Sequence, residues 1–524
     1  MTLLLPVLSG ALAGFSYIPF PPWALFFCLV PLWLFWLRET SWKRVLFGGW
    51  LAQFVLTLIV SHWVAHTAHE FGRLSRPVSI LVLLLFAALG HMFLPAAGLA
   101  FALLRSRRKF SPGAERFLLA SLTALAWSIW PMLFPWNLGY AWFGAGMPAF
   151  QLAEFVGFEG LGAATIGLNL AFLASWENRG SRKGAAALGA ALAFLAVLNA
   201  SGWFRGKTLP PPDAKVRILV VQGNIGDYLR LREERGDRFR EEILASYFSA
   251  TSRGLAASAG SPPDFAVWPE SAFPDIIHPA GMEEGNVLLL REYLSRHAIA
   301  LVAGARGYDA SSGKRTNALF LFDGNGRQAA APYHKTKLLA FGEYVPGSAA
   351  FPALKGLFPR TADFARGNGP ETRTLNGLIL GPQICYEGLF PGFSRSLAEQ
   401  GAQLFLNVTN DSWFGDWAEP RQHLMMTLAR GIEFRLPVVR ATSTGFSAAI
   451  LADGTLLERS PLRKEWASVY EIPYRKEPRA TFYRDYGYRL VPAVLWIAAG
   501  GAFLAGRKKK SGRAPKGPPG GATR

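Results

Sequence analysis

Cysteine and acidic side chains are both scarce in this chain of 524 residues. It has two cysteines, Cys28 and Cys385, and 36 aspartates and glutamates against 55 lysines and arginines. Only 17% of residues are charged and 51% are hydrophobic, which excludes a purely soluble protein. Because Cys28 lies in an apolar run and Cys385 in a water-facing segment, a disulfide between them is excluded. Cys385 is then either a reactive thiol or a small buried hydrophobe.

Apolar runs long enough to cross a bilayer recur along the chain. A membrane helix needs about 17 to 25 such residues. The first run lacks a basic N-terminal region and more runs follow it, so we interpret it as an uncleaved helix and not a signal peptide. The sequence predicts eight spans, at about 3–20, 23–37, 45–66, 79–104, 117–134, 157–175, 184–204 and 488–506.

The net charge of +19 follows a topological pattern, and we therefore exclude nucleic acid as a partner. Lysine and arginine concentrate in alternate loops, at 38–44, 105–109 and 179–183, and in the tail from 507. The intervening loops carry few of them. Cytoplasmic loops are enriched in positive charge, so both termini are predicted to be cytoplasmic and residues 205–487 to lie outside. The basic tail fits contact with anionic lipid.

Three motifs in the outer segment each end an apolar run on a reactive side chain. FAVWPE ends on Glu270, APYHKTKL carries Lys335, and LILGPQICYE carries Cys385. Apolar strands alternate with helices throughout this segment, which predicts a layered α/β domain. Such domains carry their active residues at strand ends, and Asn410 also follows a predicted strand.

A thiol, a carboxylate and an amine are sufficient for acyl transfer. A cysteine attacks as thiolate, Glu270 can take its proton, and Lys335 can stabilise an oxyanion. Each residue taken alone could instead lie on the surface. Lys337 shares a strand face with Lys335, so spacing leaves open which lysine is catalytic.

The segment 338–359 is long and apolar, and its only charges are Glu343 and Lys355. Apolar surface of this kind indicates a membrane or ligand contact, so we expect a mobile lid carrying Phe341 and Phe358. Trp413 is expected at the depth of the lipid headgroups. The alternative is a loop that packs on its own domain.

The motifs resemble two nested families. WPES, YHKTKL and ICYEGLFP are similar to the Glu-Lys-Cys signatures of the nitrilase superfamily. FGEYVP (341–346), NDSWFGD (410–416), RQH (421–423) and VVRATSTGFSA (438–448) resemble the apolipoprotein N-acyltransferase family.

The resemblance implies a polytopic α-helical membrane bundle plus an α/β nitrilase-like (αββα sandwich) extracytoplasmic domain. The bundle would comprise 1–204, the periplasmic catalytic domain 205–487, the eighth span 488–506 and the basic cytoplasmic tail 507–524. The implied location is the bacterial inner membrane. A whole site within one chain predicts a monomer.

The resemblance also implies residue roles. Cys385 would take an acyl chain from a phospholipid as a thioester and pass it to the N-terminal amine of a diacylglyceryl apolipoprotein, with ping-pong kinetics. Glu270 would be general base and acid, and Lys335 the oxyanion partner. Glu343 would be a second essential carboxylate. Tyr386 and Glu387 would shape the pocket.

Two rival functions share these residues. A membrane-tethered amidase or nitrile hydrolase would use water as acceptor, and a scaffold would do no chemistry. No cofactor is predicted. His62, His66 and His69 share a helix face and could bind zinc, but the sequence shows no set of ligands to complete the site, so we predict no metal there.

Overall fold

The computed structural model describes residues 3–226, 238–278, 281–357 and 361–508. Within these ranges, ten helices come before a mixed α/β part, and one long helix follows it. Most of the predicted basic tail lies outside the described residues. The first ten helices are α1 (Leu4–Gly14), α2 (Val30–Arg38), α3 (Trp42–Val60), α4 (Trp63–Glu70), α5 (Arg76–Leu89), α6 (Phe93–Arg107), α7 (Pro112–Ile129), α8 (Tyr140–Gly144), α9 (Ala153–Glu177) and α10 (Arg182–Lys207).

Five helical segments in the described part of the chain are long and apolar enough to cross a membrane. They are Trp42–Val60, Arg76–Arg107, Pro148–Glu177, Arg182–Lys207 and Tyr483–Leu504. Each overlaps a predicted span, and the segment Arg76–Arg107 joins α5 and α6.

The other three predicted spans coincide with shorter or more polar helices. The runs 3–20 and 23–37 contain α1 and α2, which have 11 and 9 residues. Pro19, Pro21 and Pro22 lie between them, and proline interrupts the hydrogen bonds of a helix interior. The run 117–134 overlaps α7, which carries Glu115 and Arg116 near its start. The count of eight spans therefore stays a prediction.

The mixed part contains two facing sheets. The six-stranded sheet has the order β12-β2-β3-β4-β5-β6 and the five-stranded sheet the order β11-β10-β9-β8-β7. Their strands are β2 (Ala214–Gln222), β3 (Phe265–Trp268), β4 (Ala300–Asp309), β5 (Lys314–Phe322), β6 (Gln328–His334), β7 (Arg373–Leu375), β8 (Leu378–Ile384), β9 (Leu404–Thr409), β10 (Val438–Thr442), β11 (Ala448–Ile450) and β12 (Trp466–Tyr474).

Helices cover the outer faces of both sheets. They are α11 (Phe239–Ala257) and α12 (Gly285–His297) on the six-stranded sheet and α14 (Pro391–Glu399) and α15 (Glu419–Phe434) on the five-stranded sheet. The short helix α13 (Leu354–Leu357) lies in the apolar segment after Lys335, and α16 (Tyr488–Leu504) follows the domain. In β2, Ile218 and Val220 join the core between the sheets, whereas Leu219 and Val221 pack with α11 and α12. Successive strand residues point to opposite faces, so this alternation produces the predicted αββα sandwich.

The basic segments after α6 and after α16 lie side by side. A short strand β1 (Arg108–Lys109) pairs antiparallel with β13 (Arg507–Lys508). The ends of these two helices are therefore on the same side of the molecule, as the distribution of positive charge predicts.

A buried ion pair joins the sandwich to the helical part. Arg430 on α15 pairs with Glu433 at 2.7 Å and donates a hydrogen bond to the Tyr140 hydroxyl at 2.7 Å. Glu433 accepts a hydrogen bond from the backbone N–H of Phe158 at 3.0 Å. Arg430 and Glu433 are fully buried, and a buried charge is tolerated only when it is paired. The sandwich and the helical part are therefore one packed body.

Arg430→Met should lower stability because it leaves Glu433 buried without its cation. Loss of one partner of a buried pair costs about 3–5 kcal/mol, whereas replacement of both by apolar residues is close to neutral. We expect a lower thermal unfolding midpoint for Arg430→Met, and recovery of most of the loss in Arg430→Met/Glu433→Leu. A double variant no more stable than the single one would contradict this role.

Candidate active site

The three predicted reactive residues follow strands from both sheets. Glu270 lies two residues after β3, Lys335 directly after β6, and Cys385 directly after β8. All three are buried, with exposures of 6%, 1% and 5%. The fold therefore gathers the FAVWPE, YHKTKL and ICYE motifs at one edge of the sandwich.

The Lys335 ammonium lies between two carboxylates. Its Nζ is 3.1 Å from Glu270 Oε1 and 3.0 Å from Glu343 Oε1. The Asn317 side-chain amide donates to the same two oxygens at 2.7 and 2.8 Å. Glu343, predicted from the FGEYVP motif, thus belongs to the cluster. Sequence reasoning missed Asn317, whose one signal is an amide within the apolar strand KRTNALFLF.

The structure separates the two candidate lysines. Burial alone would lower the pKa of Lys335, but the charges of Glu270 and Glu343 outweigh it and hold the pKa well above its usual value. Lys337 is half-buried, and its Nζ lies 4.4 Å from the centre of the Phe390 ring. Lys335 is therefore the lysine of the carboxylate cluster.

Cys385 is held at a strained turn between β8 and a 3₁₀ helix (Cys385–Leu389). Its φ of +56° is in the left-handed region that side chains other than glycine rarely adopt. The Asn407 side-chain amide donates to the Cys385 carbonyl at 2.9 Å. Burial and the negative charge of Glu270 raise the pKa of the thiol, while Lys335 opposes this shift. The resting thiol is therefore protonated and needs a base.

Glu270, the predicted base, accepts three hydrogen bonds. Its Oε1 accepts the bonds from Lys335 and Asn317, and its Oε2 accepts the backbone N–H of Asn410 at 2.9 Å. Both oxygens are thus oriented by fixed donors. The predicted supporting residue Asn410 contributes through its backbone.

Glu387 joins the segment that contains Lys335 (the lysine loop) to the turn at Cys385 (the cysteine turn). It accepts the backbone N–H groups of Thr336 at 2.7 Å, Lys337 at 3.0 Å and Ile384 at 2.8 Å. The Tyr333 hydroxyl donates to it at 2.9 Å. Burial raises the pKa of Glu387 to about 7. Its role in the structure is to hold these two segments together.

Tyr386 contacts the segment around Lys335. Its hydroxyl donates to the Leu338 carbonyl at 2.5 Å. The Lys335 Nζ lies 5.7 Å from its ring centre. The tyrosine thus spans the gap between the cysteine turn and the apolar segment that follows Lys335.

Arg440 links the two halves of the site, and sequence reasoning missed it. From β10 it donates to Asn407 Oδ1 at 2.9 Å and to Asp411 Oδ2 at 2.7 Å. Asn407 holds the Cys385 turn, and Asp411 follows Asn410, which holds Glu270. The only sequence signals were the family-like segments NDSWFGD and VVRATSTGFSA.

Asp411, Glu419 and His423 are close enough to share a metal ion, since their ligand atoms lie within 4.8 Å of one another. The contacts fit an ion-paired network better. Arg440 already pairs with Asp411, and His423 Nδ1 is 3.1 Å from the other oxygen of Asp411. Although burial alone would raise it, the charges of Arg440 and His423 hold the pKa of Asp411 at about 2.

Two of the three histidines at α4, His62 and His69, contact backbone carbonyls. His62 Nδ1 lies 2.9 Å from the Ile59 carbonyl, and His69 Nδ1 lies 2.8 Å from that of Leu74. Among the described residues, the one group with metal-ligating geometry does not include them.

The apolar segment after Lys335 carries exposed phenylalanine side chains. Phe341 is 55% exposed and Phe351 68%, whereas Phe358 lies outside the described residues. Trp413, by contrast, stacks on Phe71 with ring centres 3.2 Å apart, and its carbonyl accepts a bond from Thr67 at 3.0 Å. The Trp413 loop is therefore anchored on the helical part.

Comparisons with known proteins agree with this architecture. The family model "Carbon-nitrogen hydrolase" matches residues 223–476, and "Apolipoprotein N-acyltransferase N-terminal domain" matches residues 9–171. The chain is 42% identical over 519 residues to the apolipoprotein N-acyltransferase of Bdellovibrio bacteriovorus. The match covers 96% of this chain and 94% of the relative. The chain belongs to the apolipoprotein N-acyltransferase family.

Other relatives extend the comparison. The apolipoprotein N-acyltransferase of Geobacter metallireducens is 30% identical over 72% of this chain and 71% of its own length. Among solved structures, an amidase from Nesterenkonia sp. AN1 is 21% identical, covers 55% of this chain and 99% of its own, and has a TM-score of 0.38. The family assignment confirms the predicted family and nitrilase-like fold, and supports an acyltransferase in a membrane.

Alkylation of Cys385 should be slow at pH 7 and accelerate as the pH rises, because burial and Glu270 raise the thiol pKa. In a Cys28→Ala background, Lys335→Met should slow it further, about tenfold for each unit of added pKa, because the neighbouring cation is lost. Iodoacetamide labelling followed by mass spectrometry measures the rate. Lys337→Met is the matched control, and equal slowing in both variants would contradict the assignment of Lys335.

Proposed function

We propose that this protein transfers a fatty acyl chain from a membrane phospholipid, through a thioester on Cys385, to the N-terminal amine of the diacylglyceryl cysteine of apolipoproteins. The observation that carries the proposal is the buried cluster of Lys335 between Glu270 and Glu343 beside a cysteine at a strained turn. A family shared with apolipoprotein N-acyltransferases over nearly the whole chain supports it.

In the first half-reaction, Glu270 takes the proton of the Cys385 thiol, and the thiolate attacks the ester carbonyl of the phospholipid. The Lys335 ammonium stabilises the oxyanion of the tetrahedral intermediate. The intermediate then expels the lysophospholipid oxygen, which takes the proton back from Glu270. An acyl thioester and a lysophospholipid result.

In the second half-reaction, the free amine of the diacylglyceryl cysteine attacks the thioester. Glu270 takes the excess proton from the nitrogen, and Lys335 again stabilises the oxyanion. Collapse breaks the carbon–sulfur bond, forms the amide and returns the proton to Cys385. Donor and acceptor use one site in turn, so ping-pong kinetics follow.

The proposed placement has both termini in the cytoplasm and the catalytic domain, residues 205–487, on the periplasmic side of the inner membrane. Spans in 1–204 and 488–506 would flank it, and the chain would act as a monomer. Support comes from the alternation of basic loops and from the pairing of β1 with β13, which brings two basic segments to one side.

The acyl-enzyme is the direct test of this function. Purified protein given phospholipid should gain one acyl mass on Cys385, and a lipopeptide amine should discharge it; intact-mass and peptide mass spectrometry measure both. Cys385→Ala is the control and should gain no mass. Discharge by water at the same rate without the amine would favour the amidase alternative, and no adduct would favour a scaffold.

The exposed apolar segment should matter for lipid donors. Phe341→Ser should reduce thioester formation from a phospholipid more than from a soluble acyl donor, because only the lipid must enter through the segment. Leu289→Ser, an equally exposed apolar residue on α12 (50%), is the control. Equal losses with both donors would reject the lid. Phe358→Ser is expected to act in the same way as Phe341→Ser.

A further inference from the structure

The RQH motif at 421–423 lies near the start of helix α15, and its three residues have different environments. His423 belongs to the Asp411 network described above. The Gln422 side-chain amide donates to the carbonyls of Ile18 at 2.8 Å and Val60 at 3.0 Å, and Val60 is the last residue of the candidate span α3. The start of α15 therefore lies directly on the ends of the membrane helices.

Arg421 has no role in the site yet is held in one orientation. Its Nη1 donates to the carbonyls of Asp416 at 2.9 Å and Trp417 at 2.6 Å. The guanidinium carbon lies 5.1 Å from the centre of the Trp417 ring and 5.5 Å from that of Phe446. No hydrogen bond to a described residue uses its other nitrogens.

A second arginine shares the same aromatic ring. The guanidinium carbon of Arg459 lies 5.0 Å from the centre of the Phe446 ring, and Arg459 has no hydrogen bond or ion pair to any described residue. Burial and the positive charge of Arg459 lower the pKa of Arg421, so the two cations repel each other. Guanidinium groups form charge-assisted hydrogen bonds with anions, so one anion bound between Arg421 and Arg459 would relieve this repulsion.

The neighbouring acid, Asp416, offsets only part of the charge of this pair. Asp416 forms an ion pair with Arg463, a third arginine of the same surface. The three arginines therefore carry three positive charges, against one negative charge on Asp416. The surplus positive charge is exposed, because Arg459 is exposed and Arg421 is half-buried.

The surroundings of the pair are those of a membrane interface. Trp417 is 53% exposed, and its ring centre is 6.3 Å from that of Phe20. Phe20 and the 58% exposed Trp23 lie in the segment between helices α1 and α2. Exposed tryptophans are typical of the headgroup region of a membrane.

We propose that Arg421 and Arg459 bind the phosphate of a phospholipid headgroup in the leaflet next to the catalytic domain, with the lipid tails against Phe20, Trp23 and Trp417. Guanidinium groups bind phosphate oxygens with paired, charge-assisted hydrogen bonds. This site rests on the proposed membrane placement and does not depend on acyl transfer. The lipid would contact the segment from Asn410 to Trp417, in which the backbone N–H of Asn410 bonds to Glu270.

The test is lipid binding by the full-length protein in detergent, measured by native mass spectrometry. Dihexanoyl phosphatidylglycerol is the probe, and dihexanoyl glycerol, which lacks the phosphate, is its neutral counterpart. The wild type should retain the phospholipid in preference to the neutral lipid. Arg421→Gln/Arg459→Gln should weaken phospholipid binding about tenfold or more and leave the neutral lipid unchanged.

Arg296→Gln/Arg327→Gln is the matched control, because it removes the same charge from two exposed arginines on other elements. It should bind both lipids as the wild type does. Unchanged phospholipid binding in the Arg421/Arg459 variant would overturn the proposal, and so would equal losses in both double variants.

Two further measurements separate this site from others. If inorganic phosphate competes as well as the phospholipid does, the site binds free phosphate and the lipid assignment is wrong. An unchanged acyl mass on Cys385 together with lost lipid binding would support the site while leaving the proposed function intact. Loss of the acyl adduct with normal lipid binding would refute the proposed function alone.

Discussion

The active site depends on one ammonium group buried between two carboxylates. Lys335 is 1% exposed, and such burial is tolerated only because Glu270 and Glu343 pair with it. With both acids ionised the cluster has a net charge of −1, which disfavours a second anion on Cys385. In the proposed mechanism, transfer of the thiol proton to Glu270 removes one negative charge from the cluster as the sulfur becomes a thiolate. The charge balance therefore couples proton transfer to attack.

The rest of the catalytic domain keeps these groups in register. Lys335 and Glu270 follow strands of the six-stranded sheet, whereas Cys385 follows a strand of the other, so their distance depends on the packing of two sheets. Glu387 and Arg440 are the ties across that gap. Glu387 joins the lysine loop to the cysteine turn, and Arg440 joins the cysteine turn to the loop that holds Glu270. Buried networks of this kind fix geometry because every member has a defined partner.

The sequence was informative where function lies in local motifs. Strand-end motifs pointed to Glu270, Lys335 and Cys385, and the family-like FGEYVP motif pointed to Glu343. Alternation of apolar strands and helices predicted a layered α/β domain, and the family resemblance implied the sandwich. Asn317 and Arg440 could not be found in this way, because their partners come from strand register and from packing between distant segments. The choice between Lys335 and Lys337 also needed the structure, since the chain leaves the strand after His334 and the period of two no longer applies. The predicted runs 3–20 and 23–37 extend beyond helices α1 and α2, which end at Gly14 and begin at Val30, because hydropathy does not register lost hydrogen bonds.

The continuous packing between the two parts of the molecule limits how it can work. Helix α15 lies between the five-stranded sheet and the membrane helices, and its Arg430 is bonded inside both. In the proposed membrane placement, a catalytic domain fixed in this way keeps the Cys385 sulfur at a constant height above the hydrocarbon. The proposed donor and acceptor would then have to reach it by lateral diffusion. Turnover would therefore respond to the fluidity and composition of the surrounding leaflet.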